Sequence, residues 1–182
     1  EMCIRDRNRV DVLGELPELD IIPKWTEFGK DESRYYKEAV LNEQLMKMRR
    51  AAWTGGTPEK SPKLEVLLDI CEEAADNGHK VLVFSYFRDV MRTIECHLGD
   101  CTFEPISGDV PNKRRQEIID DFTKAEPGSV LISQIQAGGV GLNIQAANII
   151  ILCEPQWKPS TEEQAISRAY RMGQSRNVAV SY

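Results

Sequence analysis

A chain of 182 residues whose second half alternates short apolar runs with helix-length segments predicts an α/β fold: a mainly parallel sheet with helices on both faces, preceded by a helical segment. The apolar runs lie at 81–85, 102–106, 130–133 and 149–153, and the segments between and after them at 89–98, 111–124 and 161–172 are long enough for helices. Parallel strands need such crossovers, because each strand must restart from the same edge of the sheet. The hydrophobic content, 41%, supplies one full core with a helical appendage, and two complete domains would be crowded.

Taken in order, residues 1–7 carry no useful periodicity and are left out of the fold reasoning as sequence that an assembly junction can supply. From Ser33 onward Leu41, Leu45, Met48 and Ala52 recur at i, i+4, i+7 and i+11, which predicts one amphipathic helix that breaks at 53–58. Ser61 before Pro62 is a helix start, with Leu64, Leu67, Leu68, Cys71 and Ala75 as the apolar face and Asn77-Gly78 as the stop. Ser160 and Glu163 have capping-box spacing, so a last helix is expected to run through Gln174. At about 100° per residue, Gln164, Arg168 and Arg171 share one face of it, and Ala165, Ile166, Ala169 and Met172 form an opposing stripe. The arginine face is therefore expected to be open to the outside.

Composition excludes several classes. No apolar run approaches the roughly 20 residues of a spanning helix, and no signal-peptide pattern opens the chain. The expectation is a soluble intracellular protein with no membrane partner, cytoplasmic, nucleoid-associated in a bacterium or nuclear in a eukaryote. Five cysteines without a C-x-x-C pair suit reduced thiols. Cys96, His97 and Cys101 lack a fourth ligand nearby, so no metal is predicted. The net charge of −6 argues against attraction of the whole surface to nucleic acid, yet acids crowd 51–110 whereas bases outnumber acids over 158–182.

Ligands of parallel α/β sheets gather at the carboxyl ends of the strands, which points to the loops at 86–88, 107–109, 134–141 and 154–159. Glycines in 136–143 let backbone N–H groups approach a phosphate or ribose, although a structural turn would use them too, and neither Rossmann nor Walker spacing is present. Arg168 and Arg171 have no acid at i±4, and unpaired arginines favour anion recognition over a solvated face. Trp157 suits a stacking platform or an anchor that pins its loop. Lys113-Arg114-Arg115 suits a phosphate contact or a solvated basic turn.

Three stretches in this order, SGDVPNKRRQEIIDDF (107–122), AGGVGLNIQAA (137–147) and WKPSTEEQAISRAYRMGQ (157–174), resemble the second helicase lobe of the Swi/Snf-type ATPases. VLVFSYF (81–87) is similar to helicase motif IV, and the helix at 41–52 to the segment preceding lobe two. The resemblance implies a RecA-like lobe over 58–182, following a linking segment over 1–57. It implies ATP bound with Mg²⁺ between two lobes, the Mg²⁺ held mainly by a first lobe in cis, for which this chain shows no phosphate loop or acidic box. Arg168 and Arg171 would be arginine fingers, and Gln164, Gly139, Gly141 and Asn143 would serve the nucleotide side. Double-stranded DNA would be tracked by Tyr86, Arg88, Ser107, Gly108, Gln134, Gln136, Ala137, Gly138 and Trp157. The fragment alone is expected to be inactive, and the chain to stop within the strand after motif VI. Gln134, Gln136, Lys158 and Tyr170 depart from the family pattern and suggest a divergent branch. Two other readings stay open: a non-catalytic RecA-like or small-metabolite binding module, and lobe two of an RNA helicase, against which the ending R-M-G-Q speaks.

Overall fold

The strand β2 (Val81–Ser85) is buried along its whole length and lies between β3 (Val130–Gln134) and β4 (Ile149–Leu152), parallel to both, with Val83 opposite Ile132 and Ile151. An unbroken apolar run of this kind is what a strand covered on both faces requires. The computed structural model describes residues 19–55, 61–137, 143–170 and 178–181. Its sheet has the order β1-β5-β4-β2-β3, all pairs parallel, with β5 (Val178–Ser181) beside β4 and β1 (Leu19–Ile22) at the edge. No strand signal marks β1 in the sequence, because only five residues separate Pro17 from Pro23.

Among the described residues, the α-helices that accompany the sheet are α1 (Lys30–Leu41), α2 (Leu45–Thr54), α3 (Pro62–Asp76), α4 (Arg88–Leu98), α5 (Asn112–Lys124) and α6 (Pro159–Ile166). Successive side chains of β2 point to opposite faces. Leu82 and Phe84 pack in a cluster with Ile118, Ile119 and Phe122 of α5 and Ile166 of α6, while Val81 and Val83 pack with Leu64 and Leu67 of α3 and Val90 and Ile94 of α4. Helices thus cover both faces, as the alternation of segments predicts. Among the described residues, no helix is long and apolar enough to cross a membrane. Cys96 and Cys101 are exposed, whereas burial pushes the Cys71 thiol up to about 12 and raises that of Cys153.

Four local expectations are corrected. The single helix expected from Ser33 to Ala52 is two, because Asn42 closes α1 through its backbone and its side-chain amide, both donating to Glu38 O, and Glu43 takes φ 53°. That reversal lets α2 pack back along α1. The stretch 102–106 forms only two parallel bridges to β3, Thr102 with Val130 and Ile106 with Ser133. Pro105 has no N–H for a ladder, yet Ile106 still donates to Ile132 O at 2.9 Å and accepts from Gln134 N–H at 2.8 Å. The last helix ends at Ile166, and 167–170 form a turn in which Arg168 N–H bonds Ala165 O at 3.2 Å, an i−3 contact that tightens the helix end. Its start is Pro159 after Lys158 rather than a Ser160/Glu163 box; the neighbouring Glu162 accepts the Gln156 N–H at 2.6 Å.

Candidate functional site

The carboxyl ends of β2, β3 and β4 are tied together by side chains rather than left as free loops. Ser85, the last residue of β2, donates from Oγ to Glu154 Oε1 at 2.8 Å, and the Tyr86 N–H donates to Glu154 Oε2 at 3.0 Å. Glu154 is 1% exposed; burial first of all raises its pKa above the ordinary 4.5, and these two hydrogen bonds oppose the rise. Gln134, the last residue of β3, donates from Nε2 to Tyr86 O at 3.3 Å and accepts the Gly108 N–H on Oε1 at 3.2 Å. Hydrogen bonds therefore run without a gap from the β4 loop to the loop at 107–109.

Aromatic side chains and a cation complete this edge. The Arg49 guanidinium of α2 lies 4.9 Å from the Tyr86 ring centre and 5.6 Å from those of Phe87 and Trp157, and donates to Pro155 O at 2.8 Å. Trp157 is 63% exposed, so its indole caps Arg49 while showing most of its surface to solvent. Trp53 Nε1 and Lys63 Nζ both donate to Cys153 O, which clamps α2 and α3 to the end of β4. Arg50 pairs with Asp89 at 3.0 Å.

Of the residues expected to meet DNA, Tyr86, Arg88, Ser107, Gly108, Gln134 and Ala137 come together, Trp157 joins them through Arg49, and Gln136 is exposed beside Ala137. Gly138 lies outside the described residues, as do Gly139, Gly141 and Arg171. Arg88 is not a free cation: it pairs with Asp109 at 2.5 Å, and that hydrogen bond holds the Asp109 carboxyl below its ordinary value. The basic triplet is a second correction. Lys113 is exposed, Arg114 is occupied by Glu104 at 2.9 Å and Glu117 at 3.3 Å, and Arg115 is buried.

The nucleotide set is less assembled. Gln164 is exposed on α6, and Asn143 is exposed and donates to Gln145 Oε1 at 3.1 Å. Arg168 corrects the expectation of an open arginine face: with the helix ended at Ile166, its side chain is 8% exposed and lies over the Phe84 ring, Cζ 5.5 Å from the ring centre. Its NH1 is buried without a hydrogen-bond partner, and desolvation lowers its pKa. A buried guanidinium nitrogen without an acceptor is costly, and an anion brought to it would remove the cost.

Sequence reasoning missed Glu154, Asp109, Arg49 and the inward role of Arg115. A signal existed for Arg115, which shares the i, i+3, i+4, i+7 stripe of Ile118, Ile119 and Phe122.

The profile of the helicase conserved C-terminal domain family matches residues 62–173. The DNA excision repair protein CSB of Oryza sativa subsp. japonica is 35% identical over 127 residues, which cover 69% of this chain and 11% of that protein. The chain thus spans about a tenth of the length of the curated relatives it matches. Among solved structures, the C-terminal part of the Fun30 ATPase domain superposes with a TM-score of 0.79 at 19% identity, covering 91% of this chain and 84% of that one. The Sulfolobus solfataricus SWI2/SNF2 ATPase core in complex with double-stranded DNA gives 0.71 at 27% identity, covering 91% of this chain and 40% of that one. With its five-stranded parallel sheet, its motifs in order and these likenesses, the chain belongs to the helicase conserved C-terminal domain family, as a lobe of the Swi/Snf type.

Proposed function

We propose that this chain serves as the second lobe of an ATP-dependent double-stranded DNA translocase, with residues 1–57 linking to a first lobe and 58–182 forming the RecA-like lobe itself. The observation that carries the reading is Arg168, a buried guanidinium with NH1 unpartnered. The Sulfolobus relative, an ATPase core in complex with double-stranded DNA, supports the choice of polymer.

ATP, bound between the lobes, supplies the γ-phosphoryl group that is transferred to water. The work of this chain is electrostatic. Arg168, joined by Arg171, leaves the Phe84 ring on lobe closure and places its planar fork against the charge that develops on the transferring phosphoryl. Gln164 and Asn143, both exposed, orient the nucleotide from this side. The Mg²⁺ is assigned to the first lobe, and no step runs through it here. Tyr86, Arg88, Ser107, Gly108 and Trp157 meet the DNA backbone, and closure moves them relative to the first lobe's own contacts. Alone, the chain lacks the phosphate loop and does not turn over ATP.

DNA-stimulated ATP hydrolysis by the two-lobed parent tests this, with wild type compared to Arg168→Ala and Arg171→Ala on double-stranded DNA and on RNA. Turnover is expected to fall by about 10³ in each variant with ATP binding retained. Normal turnover in both variants, or a parent indifferent to DNA, would leave a non-catalytic interaction module as the better reading.

A further inference from the structure

Arg115 is 9% exposed, a rare position for an arginine without a carboxylate partner, and none of its contacts among the described residues is an ion pair. Helix α5 places it in line with Ile118, Ile119 and Phe122, so its side chain runs inward with the apolar stripe. There NH1 donates to Ala137 O at 2.6 Å, and NH2 donates to Ser107 O at 3.1 Å and Gly108 O at 3.0 Å. The three acceptors come from two loops that are 29 to 30 residues apart by their numbers and that both reach the carboxyl edge of the sheet. Nε finds no acceptor, so the grip is made by the two terminal nitrogens.

The geometry has a directional consequence. In a trans peptide the carbonyl and the following N–H point in opposite directions. Carbonyls of Ser107 and Gly108 drawn inward to Arg115 turn the N–H groups of Gly108 and Asp109 away from it. The first meets Gln134, which in turn holds Tyr86, so the grip on one loop is passed to the next. The guanidinium fork is planar and rigid, and two loops bound to one fork are fixed in spacing as well as in orientation.

We propose that Arg115 is a positioning residue for DNA-backbone recognition: it never touches a phosphate, but it holds the loops at 107–109 and 135–137 in the arrangement that does. This rests on the reading of that edge as DNA-binding. Phosphate-contacting cations act through counterion release, whereas Arg115 acts through geometry, and the two differ in their salt dependence.

The test uses the full chain as wild type, Arg115→Gln, Arg115→Lys and Arg88→Gln. Affinity for a double-stranded DNA oligonucleotide is measured by fluorescence anisotropy across a series of salt concentrations, and amide hydrogen exchange is followed in parallel. Arg115→Gln is expected to weaken binding about tenfold at fixed salt, the worth of one charge-assisted hydrogen bond. The slope of log affinity against log salt stays as in wild type, whereas Arg88→Gln lowers it by about one. Exchange is expected to speed up at 107–109 and 135–137. Arg115→Lys keeps the charge, loses the fork, and decides the matter if Arg115→Gln does not fold: it too is expected to lose protection in both loops.

A slope reduced by Arg115→Gln would make it a direct phosphate contact and overturn the proposal, as would unchanged affinity with unchanged exchange. A wild-type chain without salt-dependent DNA binding overturns the reading of the edge and, with it, the part assigned to Arg115. The exchange experiment would still show whether the fork holds the two loops.

Discussion

Arg115 and Arg168 are buried to nearly the same degree on the same side of the sheet, and they are treated in opposite ways. Arg115 has three backbone carbonyls around its terminal nitrogens. Arg168 has the face of Phe84 and an NH1 without a partner. The fold answers the terminal nitrogens of one guanidinium and leaves NH1 of the other unanswered. A satisfied buried cation stabilises the arrangement around it, whereas an unsatisfied one costs stability until a ligand arrives.

Stability measurements break or sharpen the contrast most strongly. In urea denaturation, Arg115→Met is expected to cost about 3 kcal/mol, because inward carbonyls lose their donors. Arg168→Met is expected to be neutral or to stabilise by about 1 kcal/mol, since a long apolar chain replaces an unpaired buried charge. Equal losses at both sites would abolish the distinction.

Glu154 offers a comparison within one region. Its pKa is raised by burial, so the folded chain retains a proton that the unfolded chain has released. Stability must therefore fall as pH rises from the ordinary 4.5 through the raised folded value. Glu154→Gln can accept from the Tyr86 N–H and donate to Ser85 Oγ, so it is expected to remove that slope while leaving the acid limit intact. A pH profile unchanged by the substitution would show that Glu154 is not the group responsible.

The smallest effect is assigned to the exposed pair at the proposed DNA edge. Asp109→Asn removes the carboxylate that competes for Arg88, and affinity for double-stranded DNA is expected to rise about threefold at low salt. Weaker binding would mean that Asp109 serves to aim Arg88 rather than to mask it.

The sheet and its covering helices were legible because β2, β3 and β4 each carry an apolar run, over 81–84, 130–132 and 149–152, and α3 carries its own start and stop residues. Legibility failed where one residue overrode a pattern. Glu43 in the left-handed region split a periodic helix, Pro105 removed a donor from an apolar run, and the turn after Ile166 carried Arg168 off the face that simple rotation assigns. The site was legible as a set of loops and illegible as a set of bonds. Which charges are answered depends on long-range partners: Glu104 took Arg114, Asp109 took Arg88, and a carbonyl 22 residues away took Arg115.

The central claim is that Arg168 serves chemistry and Arg115 serves binding, and one titration separates them. ATP hydrolysis by the two-lobed parent is measured against the concentration of double-stranded DNA, with Arg168→Lys and Arg115→Lys beside wild type. The account predicts that Arg168→Lys lowers the rate at saturating DNA by about 10³ with half-saturation unchanged. For Arg115→Lys it predicts a raised half-saturating DNA concentration and an intact saturated rate. A normal saturated rate in Arg168→Lys, or an equal fall in both variants, would contradict it.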